Sequence, residues 1–329
     1  VSRAANHPAD RSPSRPAGDC DSRAVTVRVP AKVNVRLAVG AARPDGFHDL
    51  ANVFLAVSLY DEVTAAPADA LTVTCEGPDA DQVPLDRSNL AARAAEILAG
   101  RSGLSPSVHL HIAKNIPVAG GMAGGSADGA AALLACDELW GLDTPRAELL
   151  DICAELGSDV PFSLVGGAAL GTGRGEVLTP VAAGTFHWVF AVADGGLSTP
   201  AVFREFDRLT AGQDVPAPQA SPALLEALAS GDPDALAATL ANDLQPAALS
   251  LRPGLADTLA AGTGAGALAA LVSGSGPTTA FLVRDAQSAS TVAAALEASG
   301  TCRTTRVADG PAPGATVVSA PSGRVRLRG

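Results

Sequence analysis

The stretch Pro117-Val118-Ala119-Gly120-Gly121-Met122-Ala123-Gly124-Gly125-Ser126-Ala127-Asp128 decides how this chain is read. It lies between an alternating run, Val108 to Ile112, and an apolar segment from about Ser126 to Trp140 that Gly141 stops. The pattern is a small-residue loop that leaves a strand and opens a helix. Glycine and alanine let a backbone approach a ligand closely, successive N–H groups can form an anion nest, and the helix N-terminus adds its positive dipole end. No Gly-Lys-Ser/Thr follows, so the segment is not a P-loop. A loop this rich in glycine also suits a tight structural crossing, and taken alone it leaves both readings open.

A phosphate site here has to be local. The 329 residues carry 23 Lys+Arg against 34 Asp+Glu, a net charge of −11, which excludes a generally basic nucleic-acid binder. Only two of the basic residues are lysines, Lys32 and Lys114, so each is a candidate for a task that needs a compact, tunable point charge. Hydrophobic residues make up 47%, and the length suits two domains with packed cores. Cys20, Cys75, Cys136, Cys153 and Cys302 are scattered without a CxxC pair, which suggests neither a disulfide framework nor a zinc site. Residues 1–24 contain no apolar signal core, and no apolar run approaches the roughly 18 residues of a membrane span. The expectation is a cytoplasmic protein with small-molecule partners, no nucleic acid and no membrane; oligomeric state is left open.

Upstream of the loop, apolar residues fall on odd positions from Val25 to Val39, the alternation of a strand, with Pro30 marking a bulge or an edge. Lys32, Asn34 and Arg36 then share the opposite face. Arg43-Pro44-Asp45-Gly46 is a turn, after which Phe47 to Leu59 reads as the second strand of a hairpin. Val73 to Cys75 and Val108 to Ile112 are further strands around a helix from Ser88 to Gly100, and His109 and His111 read as a solvated strand face. Downstream, Thr144 and Pro145 open a helix whose Leu149, Ile152, Cys153 and Leu156 form one apolar face, ended by Gly157. Asp159, just beyond, suits either a local turn or cap, or a general base. The texture changes at Pro180 to Thr185. Helices are expected near 200–209, 222–229, 233–244 and 286–299, and strands near 187–193, 268–273, 278–284 and 301–307. Residues 1–24 and 308–329 read as disordered tails.

Taken together, the motifs carry a family resemblance. Pro30-Ala31-Lys32-Val33-Asn34, Arg43 to Leu50, the glycine loop, Gly157-Ser158-Asp159-Val160-Pro161-Phe162, Asn242-Asp243-Leu244 and Ser273-Gly274-Ser275-Gly276-Pro277-Thr278 stand in an order that resembles the 4-diphosphocytidyl-2-C-methyl-D-erythritol kinase family of the GHMP kinase superfamily. The resemblance covers about residues 25–307. It implies an α+β, two-domain GHMP kinase-like fold: a nucleotide-binding domain of ribosomal-S5-like α/β type at 25–183, an α+β domain at 184–307, and an active site in the cleft between them.

The same resemblance implies ATP- and Mg²⁺-dependent phosphorylation of the 2-hydroxyl of 4-diphosphocytidyl-methylerythritol in the non-mevalonate isoprenoid pathway. Another GHMP small-molecule kinase, of homoserine or mevalonate type, and a catalytically silent nucleotide-binding module are the alternatives. By family analogy, Lys32 stabilises charge on the acceptor hydroxyl and Asp159 takes its proton. The loop from Pro117 to Ala127 holds ATP, with Ser126 the candidate for a metal contact, while Ser273, Gly274, Ser275 and Gly276 form a supporting loop. Asn34, Phe47, His48 and Phe203 fall to the cytidyl substrate. Phe47 stands where the family usually has Tyr, keeping the ring and losing its hydroxyl. Lys114 is either an outer contributor to phosphate attraction or a solvated strand end.

Overall fold

A computed structural model describes residues 23–118 and 120–320. The alternating stretch becomes β1 (Val25–Ala42), and the expected turn returns the chain as β2 (His48–Pro67). The two pair antiparallel over most of their length, with three irregularities in register. One follows Pro30, which is a bulge. A second lies between Asn34 and Arg36 and shifts the alternation by one residue, because Asn34 stands opposite Phe54 while Leu37 stands opposite Asn52. The face shared by Lys32 and Asn34 is therefore continued by Leu37. Arg36, expected on that face, instead binds Asp243 at 2.6 Å.

The chain continues through β3 (Thr72–Glu76), α1 (Leu90–Arg101), β4 (Val108–Ala113), α2 (Gly124–Trp140), α3 (Arg146–Leu156), α4 (Val160–Val165), β5 (Ala168–Thr172) and β6 (Val177–Pro180). Beyond these come β7 (Phe186–Val192), α5 (Thr199–Leu209), α6 (Pro222–Ser230), α7 (Pro233–Ala237), β8 (Ala241–Asn242), α8 (Gln245–Leu251), α9 (Leu255–Gly264), β9 (Ala269–Val272), β10 (Thr279–Val283), α10 (Ala286–Ser299), β11 (Thr304–Gly310) and β12 (Thr316–Ser319). The first sheet runs β12-β1-β2-β4-β3, with β5 and β6 branching from β2 and β8 lying against β1. The second sheet is antiparallel, in the order β11-β7-β10-β9.

Helix α2 lies on β1 and β2 with α1 packed against it. Ala127, Ala130, Ala131, Ala132 and Ala135 are all fully buried. Alanine is the strongest helix former and has the smallest side chain beyond glycine, so this helix can settle close to the sheet. That contact fixes the position of the glycine segment at its start. No helix among the described residues is long and apolar enough to cross a membrane.

Three expectations are corrected. The helix read at 233–244 stops at Ala237, and the chain crosses to β8 beside Arg36 and Leu37. Thr144 is not the cap of α3, which starts at Arg146 after Pro145, and the Thr144 N–H is held by Asp137. The tail expected from 308 is structured through residue 320: β11 runs to Gly310, Ala312 is buried, and β12 pairs with the start of β1. Its Gly, Pro and Ala composition looks polar-poor and patternless, but its backbone groups are paired. Ala312 donates to the Ala56 carbonyl and accepts from the Gly167 N–H. Residues 1–22 and 321–329 of the expected tails lie outside the described residues.

Candidate active site

Helix α2 starts at Gly124, two residues before the expected Ser126, and Ala123 at its N-cap takes a φ of 61°. Gly124, Gly125 and Ser126 thus form the first turn, whose N–H groups have no acceptor within the helix. They line a cleft of about 900 Å³ together with Gly120, Gly121 and Ala123. Met122 and Ala127 pack into the core instead, and Ala119 lies outside the described residues. Gly121 is also a tight crossing: a Cβ there would lie 2.1 Å from the Ser273 carbonyl oxygen, and its φ is 74°. The crossing reading is met at Gly121, which shapes one wall, while the helix start presents its donors to the cleft.

Lys32 rises from the bulged part of β1 and is buried. Its Nζ donates to Asn34 Oδ1 at 2.6 Å and to the Gly121 carbonyl at 2.8 Å. Asn34 in turn donates to Asn52 Oδ1 at 2.7 Å, so the ammonium is aimed by a relay across β1 and β2. Burial pushes the Lys32 ammonium below its ordinary value, with the Asp159 carboxylate partly opposing that shift. Asp159 precedes α4 and makes no side-chain capping bond. Of its two sequence readings, the capping one is absent, and the carboxylate lines the same cleft as Lys32.

The second small-residue loop closes over Lys32, with a Cβ on Gly274 falling 3.2 Å from its Nζ. Ser273 Oγ donates to the Gly121 carbonyl at 3.1 Å, and Asn242 holds the loop through the carbonyls of Val272 and Gly274, both at 2.7 Å. Ser275 Oγ meets Thr199 Oγ1 of α5 at 2.8 Å, and Gly276 also lines the cleft.

At the other end of the cleft, His48 is buried, not exposed as a histidine after a turn would be on average. Its Nε2 lies 2.8 Å from Asp207 Oδ1, and its ring is tilted 32° against Phe203 at 5.0 Å. Phe47 is half exposed, with the Arg174 guanidinium 5.1 Å from its ring centre. Phe47, in the turn before β2, and Phe203, on α5, thus line one cleft.

Lys114 is not the solvated strand end of its second reading. It is buried and salt-bridged to Asp61 at 2.5 Å and Asp128 at 2.7 Å. Burial opposes its charge, but the Asp128 and Asp61 carboxylates outweigh that and hold it above the ordinary lysine range. Asp61 also accepts from the N–H groups of Asn115 and Ile116, so the cluster ties β2, the strand end before the loop, and α2 together. It supports the loop from below rather than facing the cleft.

Sequence reasoning passed over Asn52, Arg174, Asp207 and Asn242. Only Asn242 carried a signal, within the Asn242-Asp243-Leu244 motif. The others become visible only through their partners in the fold.

Two family models match the chain: the GHMP kinases N terminal domain over residues 89–167 and the GHMP kinases C terminal over 224–302. The 4-diphosphocytidyl-2-C-methyl-D-erythritol kinase of Streptomyces avermitilis is 78% identical over 295 residues, 89% of this chain and 99% of that protein. A crystal structure of 4-(cytidine 5′-diphospho)-2C-methyl-D-erythritol kinase superposes with a TM-score of 0.70 at 32% identity, covering 86% of this chain and 98% of that one. Homoserine kinase from Cytophaga hutchinsonii also has a TM-score of 0.70, covering 94% of this chain and 100% of its own, and at 18% identity it shows the fold alone.

Proposed function

Because the chain belongs to the 4-diphosphocytidyl-2-C-methyl-D-erythritol kinase family of the GHMP kinases, we propose that Lys32 and Asp159 carry its transfer of the ATP γ-phosphate to the 2-hydroxyl of 4-diphosphocytidyl-2-C-methyl-D-erythritol. The observation that supports this most directly is the Lys32 ammonium, aimed by Asn34 and the Gly121 carbonyl into the cleft that Asp159 lines. In phosphoryl transfer the protein chiefly positions the reactants and spreads charge.

The triphosphate lies against the first turn of α2, where the Gly124, Gly125 and Ser126 N–H groups meet its oxygens. Asp159 accepts the proton of the acceptor hydroxyl as its oxygen bonds to the γ-phosphorus and the bond to the ADP oxygen breaks. Lys32 stabilises the charge that develops on the attacking oxygen. The cytosine ring sits between Phe47 and Phe203, with His48 at its edge.

The oxygen donors of the cleft suit a magnesium ion. Among the described residues no group of three or more His, Cys, Asp or Glu forms a protein-only cage, whereas Mg²⁺ in kinases is held by substrate phosphates, water and one or two protein oxygens. Ser126 would supply one such oxygen, and the ion would neutralise phosphate charge.

A coupled ADP-release assay tests the reading, with 4-diphosphocytidyl-methylerythritol, homoserine and mevalonate phosphates as acceptors. Turnover of the first alone is expected, and Asp159→Asn should lower kcat by at least about 10²-fold with ATP affinity retained. Turnover of another acceptor instead, or an unimpaired Asp159→Asn enzyme, would overturn it.

A further inference from the structure

The pairing of His48 with Asp207 does more than bury a polar ring. We infer that Asp207 is a positioning residue that fixes the tautomer of His48 and through it the preference for cytosine over uracil in the acceptor. The inference rests on the substrate reading above.

Asp207 follows Phe203 by four residues on α5, so both side chains lie on one face of that helix and both line the cleft. Phe206, on the adjoining buried stripe, meets the His48 ring edge-on at 5.9 Å, while Phe203 lies tilted against its face. These two contacts set the plane of the imidazole. Its rotation within that plane is set by the 2.8 Å contact between Nε2 and Asp207 Oδ1.

An ionised carboxylate can only accept, so the bond requires the proton on Nε2. A ring with one proton then carries its lone pair on Nδ1, the nitrogen left for a ligand. Cytosine offers an exocyclic N4 amine, a donor, where uracil offers the O4 acceptor. Nδ1 pairs with the first and faces the second lone pair to lone pair. A desolvated site punishes such an unpaired polar contact far more than it rewards a paired one. Phe47 and Phe203 cannot supply this discrimination, since both pyrimidines stack.

The test uses the full chain and reads both the ring and the reaction. Long-range ¹⁵N–¹H correlation spectra, with His48 assigned through His48→Gln, should show the wild-type ring protonated on Nε2. Asp207→Leu should lose that fixed tautomer, raise KM for the cytidyl acceptor by about tenfold and lower the preference over its uridine analogue by a similar factor. KM for ATP should not move. Asp207→Asn, whose amide oxygen can take the same bond, should restore the preference.

A wild-type ring protonated on Nδ1, or an Asp207→Leu enzyme that still prefers cytosine, would overturn the inference. So would equal losses toward ATP and acceptor in both variants, which would mark a merely structural contact. Should Asp207→Leu not fold, the wild-type spectrum and Asp207→Asn still decide. A wild-type enzyme that fails to turn over the cytidyl acceptor would instead remove the substrate reading, and the two failures are distinct.

Discussion

Replacing Gly274 by alanine would test whether the second loop holds Lys32 in place. Gly274 has a φ of 56°, and a Cβ on it would lie 3.2 Å from Asn34 Oδ1, the Gly121 carbonyl oxygen and Lys32 Nζ alike. The left-handed backbone costs an alanine about 1–2 kcal/mol of stability. Crowding is a separate effect. Carbon contacts relax near about 3.5–4.0 Å, so the three atoms must retreat by several tenths of an ångström. They cannot do so independently, because Lys32 is bonded to both of the others.

A misplacement of about 1 Å can cost about 10²-fold in rate, so a shift of roughly half that should lower kcat by about tenfold. The first turn of α2, where the triphosphate is proposed to bind, is not among the crowded atoms, and KM for ATP should stay within about twofold. Gly300→Ala is the control. Its φ is 67° and nothing lies within 4 Å of the added carbon, so it carries the backbone cost without the crowding. Urea denaturation should show both variants destabilised, Gly274→Ala at least as much as Gly300→Ala, while ADP release should show only Gly274→Ala impaired. If Gly274→Ala keeps wild-type kcat while losing stability like Gly300→Ala, the reasoning about Lys32 is wrong.

Other outcomes follow from the same geometry. Lys32→Arg retains the charge but presents a planar fork where a compact ammonium fits between Asn34 and Gly121, so kcat should fall severely; a nearly active arginine enzyme would show that charge alone suffices. Phe47→Ala removes a platform of roughly 1–3 kcal/mol per stacked base and should raise KM for the cytidyl acceptor but not for ATP, with parallel increases arguing against the sandwich. The Asp128 carboxyl is pushed up to about 7, chiefly by burial, with Lys114 opposing and Asp61 adding to the shift. An acid whose folded pKa is raised above its ordinary 3.8 loses stability as pH climbs between the two values. Asp128→Asn should therefore gain on the wild type from about pH 4 to about pH 7 in urea midpoints, and a constant difference would contradict this.

The hairpin, α2 and the glycine segment were legible because each rests on local chemistry: strict alternation, a proline-glycine turn, small residues before an apolar run. The resemblance in motif order then marked Lys32 and Asp159, whose separation hides their proximity from any periodicity. What escaped was set by tertiary pairing. The bulge after Asn34 leaves valine and leucine in an apparently regular alternation, so nothing in the pattern shows Arg36 turning away. Lys114 at a strand end looks like a solvated charge until Asp61 and Asp128 arrive from two other elements. Helix α4 is only six residues long and too short to show a period. The segment from 308 looked disordered because its glycine and proline suppress every side-chain signal, although its backbone is paired.

That segment also sets an order of assembly. Strand β11 closes one side of the second sheet through β7, and a few residues later β12 covers the outer side of β1 in the first. During synthesis, both sheets expose an unpaired strand flank until residues 304–319 have left the ribosome, and an open flank of this kind invites pairing between nascent chains. The glycine segment and Lys32 are made early, but the framework that holds them is sealed only by almost the last described residues.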